Sequence, residues 1–330
     1  MTEIMAIIIE YNKSSTLYFS ITGMLDNMVL NHNCKFDTPE NLNNKKNNLK
    51  DYMLEKYGCI PKFLISFLEL ESFENIIDEL SNILKVVFII DDIHHSKRIR
   101  KVRCPVINKS YICFNTYGYQ FNKWGLPNIE NNYFFPHSAH WIIDFNENPI
   151  NKVLGSGRIS SIYPDREFFF NLAEKNKHVE IFKCSFGYRD SNQNNIFGKR
   201  FYEYLNKYLC CFVDCARDYI LCKTFEICGC GSLLLCMNEN LVDIFEKLGF
   251  KDNYNYISCN RENIEEKIKF IVDDNNKSTI DQIRKNGYEL IKEKHNSDYR
   301  CKIFIDILNG NFKSDVHHNI IYDTKYKLAF

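Results

Sequence analysis

The stretch CKTFEICGCGSLLL, Cys222 to Leu235, places one carboxylate, Glu226, among apolar residues, cysteines and glycines. Its first half reads as a short helix, Cys222–Cys228, and its second as a buried strand, Leu233–Cys236. The run before it, YLCCFVDCA (Tyr208 to Ala216), reads as another buried strand, Leu209–Val213. Strand, helix and strand at this spacing make a βαβ unit, whose strands are parallel. Glu226 then stands near the carboxyl edge of a sheet, where open α/β sheets bind ligands. A carboxylate there can accept two hydrogen bonds from the vicinal hydroxyls of a ribose. A glutamate near a helix start is equally what the macrodipole favours.

Working outward, the second half of the chain repeats this alternation. It predicts helix Arg166–Lys175, strand Val179–Lys183, helix Gly198–Lys207, helix Leu241–Leu248 and strand Tyr256–Cys259. Helical segments follow from Glu262, Thr279 and Ser297, the later ones amphipathic and suited to packing on the sheet. In the first half the predicted strands are Ile4–Ile9, Phe63–Phe67, Val86–Ile90, Tyr111–Asn115 and Tyr133–Phe135, with a helix over Phe73–Leu84. The Asn/Lys-rich stretch Glu40–Lys50 reads as a solvated loop or a helix start. Polar residues and Pro149 interrupt the pattern, which places a domain boundary at about Asn148: residues 1–147, then 148–310, with a tail 311–330. Both halves read as α/β with parallel sheets.

The chain has 330 residues, enough for two domains. Its 42 Lys and Arg balance 42 Asp and Glu, so no net field recruits nucleic acid or an anionic membrane surface. The start, MTEIMAIIIEYNK, lacks the charge pattern of a secretory signal, and no apolar run is long enough to span a bilayer. A soluble cytoplasmic protein is expected. The 14 cysteines sit mostly in apolar runs, where they serve as small hydrophobes rather than as a disulfide framework. Cys222, Cys228, Cys230 and Cys236 lack paired zinc-ligand spacing, so no metal site is expected. The excess of Asn, Lys and Ile is the mark of an AT-rich genome.

A second candidate stretch is KVLGSGRISSIYPDREFF, Lys152 to Phe169. Strand Lys152–Leu154 opens into Gly155-Ser156-Gly157-Arg158, where main-chain amides can approach an anion and an arginine can fork onto phosphate oxygens. Arg166 offers a second cation, or is a solvated helix residue. In VVFIIDDIHHSKR a buried strand delivers Asp91, Asp92, His94 and His95 to its carboxyl end. These can cap the following helix and face solvent, or act as acid or base.

The segment from Glu226 to Leu235 resembles the E-A-x-A-x-G-x-P-V segment of GT-B glycosyltransferases, which closes an E-x7-E motif. Asp218 lies eight residues before Glu226, so this chain has D-x7-E. LGSGRISSIYPDR, KTFEICGCGSLLL, LGFKDNYNYISC and IRKNGYELIKEKHNSDYR are similar in order and spacing to the spore-maturation (CgeB-like) branch. That branch has a closing G-x7-H-x4-R helix, here Gly287, His295 and Arg300. The resemblance covers about Asn151 to Asp306.

It implies two Rossmann-like domains facing a cleft, a helical C-terminal extension, and a tail crossing back. It implies glycosyl transfer from a nucleoside-diphosphate sugar, such as a UDP-sugar, to an unidentified acceptor, retaining and without a metal or other cofactor. Donor-binding candidates are Gly155, Ser156, Gly157, Arg158, Arg166, Lys223, Thr224 and Glu226. Catalytic candidates are Asp91, Asp92, His94, His95 and Asp218, with His137 and His140 lining the cleft or packing between domains. The alternatives are an inactive nucleotide-sugar-binding or coat-associated viral protein, and a nucleotide-sugar epimerase.

Overall fold

A computed structural model describes residues 6–9, 19–67, 70–90, 104–116, 132–161, 163–183, 196, 198–215 and 219–310. They divide into two compact units, one within residues 6–9 and 24–136, the other within 19–23 and 137–310. Each is built on a parallel sheet, as the alternation predicts.

The first unit contains β1 (Ala6–Ile9), β2 (Cys34–Asp37), β3 (Phe63–Phe67), β4 (Lys85–Ile90), β5 (Ile112–Asn115) and β6 (Asn132–Phe134). They form a six-stranded parallel sheet in the order β2-β1-β3-β4-β5-β6. The sequences AIII, FLISF and VVFII are buried throughout, which is why they read as continuous apolar runs rather than alternating ones. Edge strand β2 has no such signature, CKFD being half polar, while helix α1 (Phe19–Asn31), absent from the predicted elements, buries Ile21, Met24, Leu25 and Met28 at helical spacing.

One open reading is settled here, in favour of its helical alternative, and one expectation changes. The Asn/Lys-rich stretch is largely helical: α2 (Pro39–Asn44), whose Thr38 cap accepts from the Asn41 amide, and α3 (Leu49–Tyr57). Leu42, Leu49 and Met53 bury an apolar face that the surrounding asparagines mask in composition. The long helix expected over Phe73–Leu84 is instead a 3₁₀ turn, Glu71–Phe73, and a short α4, Ile77–Ser81. Phe73, Ile76, Ile77 and Leu80 still point into one core, so helical spacing survives without a continuous helix.

The second unit contains β7 (Ile150–Gly157), α5 (Pro164–Ala173), β8 (Val179–Lys183), α6 (Lys199–Leu205), β9 (Tyr208–Asp214), α7 (Cys222–Gly229), β10 (Leu233–Met237), α8 (Val242–Lys247) and β11 (Ile257–Ser258). Helices α9 (Ile264–Val272), α10 (Lys277–Lys294) and α11 (Ser297–Leu308) follow. The five strands are parallel in the order β11-β10-β9-β7-β8. After β7 the chain goes to β8 on one side and then crosses to β9 on the other. The carboxyl ends of β7 and β9 therefore flank the topological switch point, the crevice where such sheets bind ligands.

Residues 137–149, just before the boundary expected near Asn148, pack within this unit. The Ala139 amide donates to the His295 carbonyl, the Ile143 amide to Gly229, and the Asn146 side chain to Asn206. Arg284, buried in α10, donates to the carbonyls of Asn146 and Gly231 and so ties the segment to the sheet. The cysteines of the unit behave as core residues: Cys210, Cys211, Cys228, Cys230 and Cys236 are buried and free.

Candidate functional site

The glycine stretch lies inside β7, paired to β8 through Gly157, and is not a loop following the strand as expected. Its two glycines differ in purpose. A Cβ on Gly155 would lie 2.7 Å from the Phe169 ring, so this glycine lets α5 pack down on the sheet. Phe169 in turn stacks on Phe212 of β9 at 4.0 Å. Gly157 has φ +117°, and a Cβ there would meet the Arg166 guanidinium at 2.8 Å and Lys223 Nζ at 3.1 Å. Two cations thus converge on the last residue of β7.

Each cation is held in place. Arg166, on the first turn of α5 and 6% exposed, donates from Nε (3.1 Å) and Nη2 (2.7 Å) to Asp214 Oδ1. Its Nη1 donates to the Arg158 carbonyl at 3.0 Å, and its guanidinium lies 3.8 Å from the Tyr163 ring centre. The reading of Arg166 as a solvated helix residue is therefore set aside. Lys223, on the first turn of α7, donates to the Ser156 carbonyl at 2.7 Å. Arg158 itself is exposed and contributes its carbonyl.

Around these cations lie polar atoms that are buried and have no hydrogen-bond partner: Ser156 Oγ, Asp214 Oδ2, Thr224 Oγ1 and Glu226 Oε2. A buried polar atom left unpaired costs about 1–3 kcal/mol, and four of them on neighbouring elements mark a place built for something polar. Glu226 is the most constrained. It is 6% exposed, and its Oε1 accepts from the Cys222 thiol at 3.4 Å. Burial raises its pKa above the ordinary value, against the Lys223 charge and the Cys222 hydrogen bond. The Tyr202 hydroxyl accepts from the His140 amide at 3.1 Å.

Sequence reasoning brought Gly157, Ser156, Arg166, Lys223, Thr224 and Glu226 to this place and missed Asp214 and Tyr202. The signal for Asp214 was an apolar strand, YLCCFVD, that ends in a carboxylate. Asp91, Asp92, His94, His95 and Asp218 lie outside the described residues. His137 and His140 are packed in the second unit. His137 is fully buried, its carbonyl accepting from Arg300, and His140 Nδ1 lies 3.3 Å from Ser297 Oγ.

Beside the cations, a cavity of about 520 Å³ opens at the carboxyl ends of β9, β10 and β11. Asp165 and Cys215, the chain neighbours of Arg166 and Asp214, line it together with Asn238, Asn240 and Asn260. Among the described residues no cluster of three or more His, Cys, Asp or Glu side chains could hold a metal ion, and no helix is long and apolar enough to cross a membrane.

Residues 164–306 match the family model described as glycosyl transferase-like, a segment that runs from α5 into α11 and contains Arg166, Asp214, Lys223, Thr224 and Glu226. No curated protein matches the chain in sequence. In structure the chain is similar to Alr3699/HepE of Anabaena in complex with UDP-glucose, with TM-score 0.61, 11% identity, and coverage of 93% of this chain and 100% of that one. It is similar to sucrose-phosphate synthase of Thermosynechococcus elongatus, with TM-score 0.61, 9% identity and coverage of 94% and 99%. A glycosyltransferase of Rickettsia africae gives TM-score 0.60, 10% identity and coverage of 94% and 99%. The fold is that of GT-B glycosyltransferases, and residues 164–306, within its second unit, are similar to the glycosyl transferase-like family.

Proposed function

We propose that this protein is a glycosyltransferase that moves a sugar from a nucleoside-diphosphate donor, a UDP-sugar, to an acceptor hydroxyl, with retention and without a metal. The observation that carries the proposal is the set of unpartnered buried atoms around Arg166 and Lys223 at the switch point. The two cations and the amino end of α7 meet a diphosphate, and stabilise the charge that grows on it as it leaves. Glu226 Oε2 accepts from a ribose hydroxyl, which removes the cost of its isolation. Ser156 and Thr224 complete the cradle with hydroxyl donors that the diphosphate oxygens satisfy.

Further support comes from the structural neighbour solved with UDP-glucose and from the D-x7-E spacing that the chain shares, with one change, with the retaining E-x7-E enzymes. The spore-maturation branch is the part of the family we assign it to. Asp91, Asp92, His94, His95 and Asp218 remain the candidates for the group that meets the glycosyl carbon or takes the acceptor proton. We place the protein in the cytoplasm, with no nucleic-acid partner.

The test is binding and turnover of a panel of UDP-, GDP- and dTDP-sugars by the purified protein, with Glu226→Ala alongside. Slow donor hydrolysis that the substitution abolishes is the expected result. Binding without turnover, with or without added acceptors, supports a donor-binding protein that has lost catalysis. Absence of any nucleotide binding overturns the assignment.

A further inference from the structure

The two oxygens of Asp214 do different things. Oδ1 accepts two hydrogen bonds from Arg166, at 3.1 and 2.7 Å, while Oδ2 is buried and has no partner in a residue only 2% exposed. Arg166 spends three of its five N–H groups holding itself, on Asp214 and on the Arg158 carbonyl. The remainder are fixed in direction by that anchoring and by the Tyr163 ring beneath. We infer that Asp214 is a specificity-determining residue of this site: Oδ1 aims Arg166 at the diphosphate, and Oδ2 accepts a hydrogen bond from a hydroxyl of the transferred glycosyl group.

The assignment rests on the donor reading above and extends it to the sugar. A carboxylate oxygen repels phosphate, so its ligand partner must be a donor. Ribose is already engaged by Glu226 on α7. What remains next to the diphosphate is the sugar, and there is room for it. The 520 Å³ cavity begins at Asp165 and Cys215, each one residue from the Arg166–Asp214 pair, and carries the carboxamides of Asn238, Asn240 and Asn260 beside the charged Glu239, Arg261 and Glu262. With Arg261 paired to Asp165 at 2.7 Å, the remaining carboxamides and carboxylates suit a hydroxyl-rich ligand, and the cavity falls in the size range of small-molecule sites.

Asp214→Asn separates the two tasks. Arg166 offers only donors, so the asparagine must turn its oxygen toward Arg166, and its NH2 then replaces the Oδ2 acceptor. Calorimetric binding of uridine, UDP and UDP-glucose is measured for wild type, Asp214→Asn and Asp214→Ala, with thermal melts to confirm folding. Asparagine is expected to leave UDP affinity within about twofold and to weaken UDP-glucose about tenfold. Alanine is expected to weaken UDP about tenfold as well, because Arg166 loses its anchor, with uridine unchanged. An asparagine variant that shifts UDP and UDP-glucose equally, or shifts neither, overturns the inference. A wild-type protein that binds neither nucleotide overturns the donor reading itself, and this assignment with it.

Discussion

Lys223 Nζ and the Ser156 carbonyl stand 2.7 Å apart, so the first turn of α7 is tied to the end of β7 across the crevice of the second sheet. The bond holds the ammonium where Gly157 leaves no side chain in the way. A charged donor in this position serves both the fold and a bound anion.

Lys223→Gln should therefore weaken UDP binding by at least about tenfold, the scale of a lost charge-assisted hydrogen bond, while the thermal midpoint moves by only a few degrees. Added salt should weaken wild-type binding more steeply than binding by the variant, because one fewer cation faces the ligand. Titration calorimetry at two ionic strengths checks both, and an unchanged salt slope speaks against Lys223 as a diphosphate ligand.

Glu226 opposes stability and serves binding. Its folded pKa is raised above the ordinary 4.5 by burial. The folded chain thus holds this proton more tightly than the unfolded chain. Its contribution to stability falls as pH rises from the ordinary value through the raised one, and is level beyond. Glu226→Gln removes that loss. At pH 7.5 the variant is expected to melt about 2–4 °C above wild type, a gap that closes as pH falls toward 4.5. Over the same comparison its UDP affinity should fall about tenfold, because an amide offers one acceptor where the carboxylate offered two. A variant that is less stable and binds UDP normally contradicts both halves of the argument.

The two glycines of β7 should separate packing from binding. Gly157→Ala puts a Cβ at φ +117° between two cations, so it should cost about 1–3 kcal/mol and abolish UDP binding. Gly155→Ala presses on Phe169 and Ile181, so its cost, also about 1–3 kcal/mol, should appear in denaturant unfolding with UDP affinity largely kept. Equal loss of affinity in both variants would mean that Gly155 also faces the ligand.

Much of this was legible in the sequence where a signal is local. Phe63–Phe67 falls on the predicted residues because a buried parallel strand is one uninterrupted apolar run, and the half-buried edge strand Val179–Lys183 does so on Val179, Ile181 and Phe182. Lys223, Thr224 and Glu226 share one helix turn, so spacing alone brings them together. Asp214 was not legible, because its meaning depends on β9 lying beside β7, a crossover that chain order does not show. Tyr202, on a helix that precedes β9, is hidden for the same reason. The glycines were misplaced into a loop because their permissive backbone suggested a turn, whereas Gly155 serves a close approach of Phe169.

His295 and His137 should make the second unit sensitive to mild acid. His295 is fully buried, its ring nitrogens 2.8 Å from the Leu248 carbonyl and 2.8 Å from the Arg300 guanidinium. Because Arg300 can only donate, the nitrogen facing it accepts, and the ring is held neutral. Burial, with the Arg300 charge added, pushes the His295 pKa well below 6.5 and that of His137 down to about 3. Below the unfolded value the unfolded chain binds protons that the folded chain refuses, so stability falls as pH drops from about 6.5. Each histidine contributes a slope of about 1.4 kcal/mol per pH unit until its own folded pKa is reached. His295→Gln keeps a donor and an acceptor without a titrating ring. It should lower stability at pH 7.5 by about 1–2 kcal/mol through poorer packing, yet halve the loss between pH 6 and pH 4. Chemical denaturation at several pH values reads both effects, and a variant whose pH slope equals that of the wild type places the acid sensitivity elsewhere.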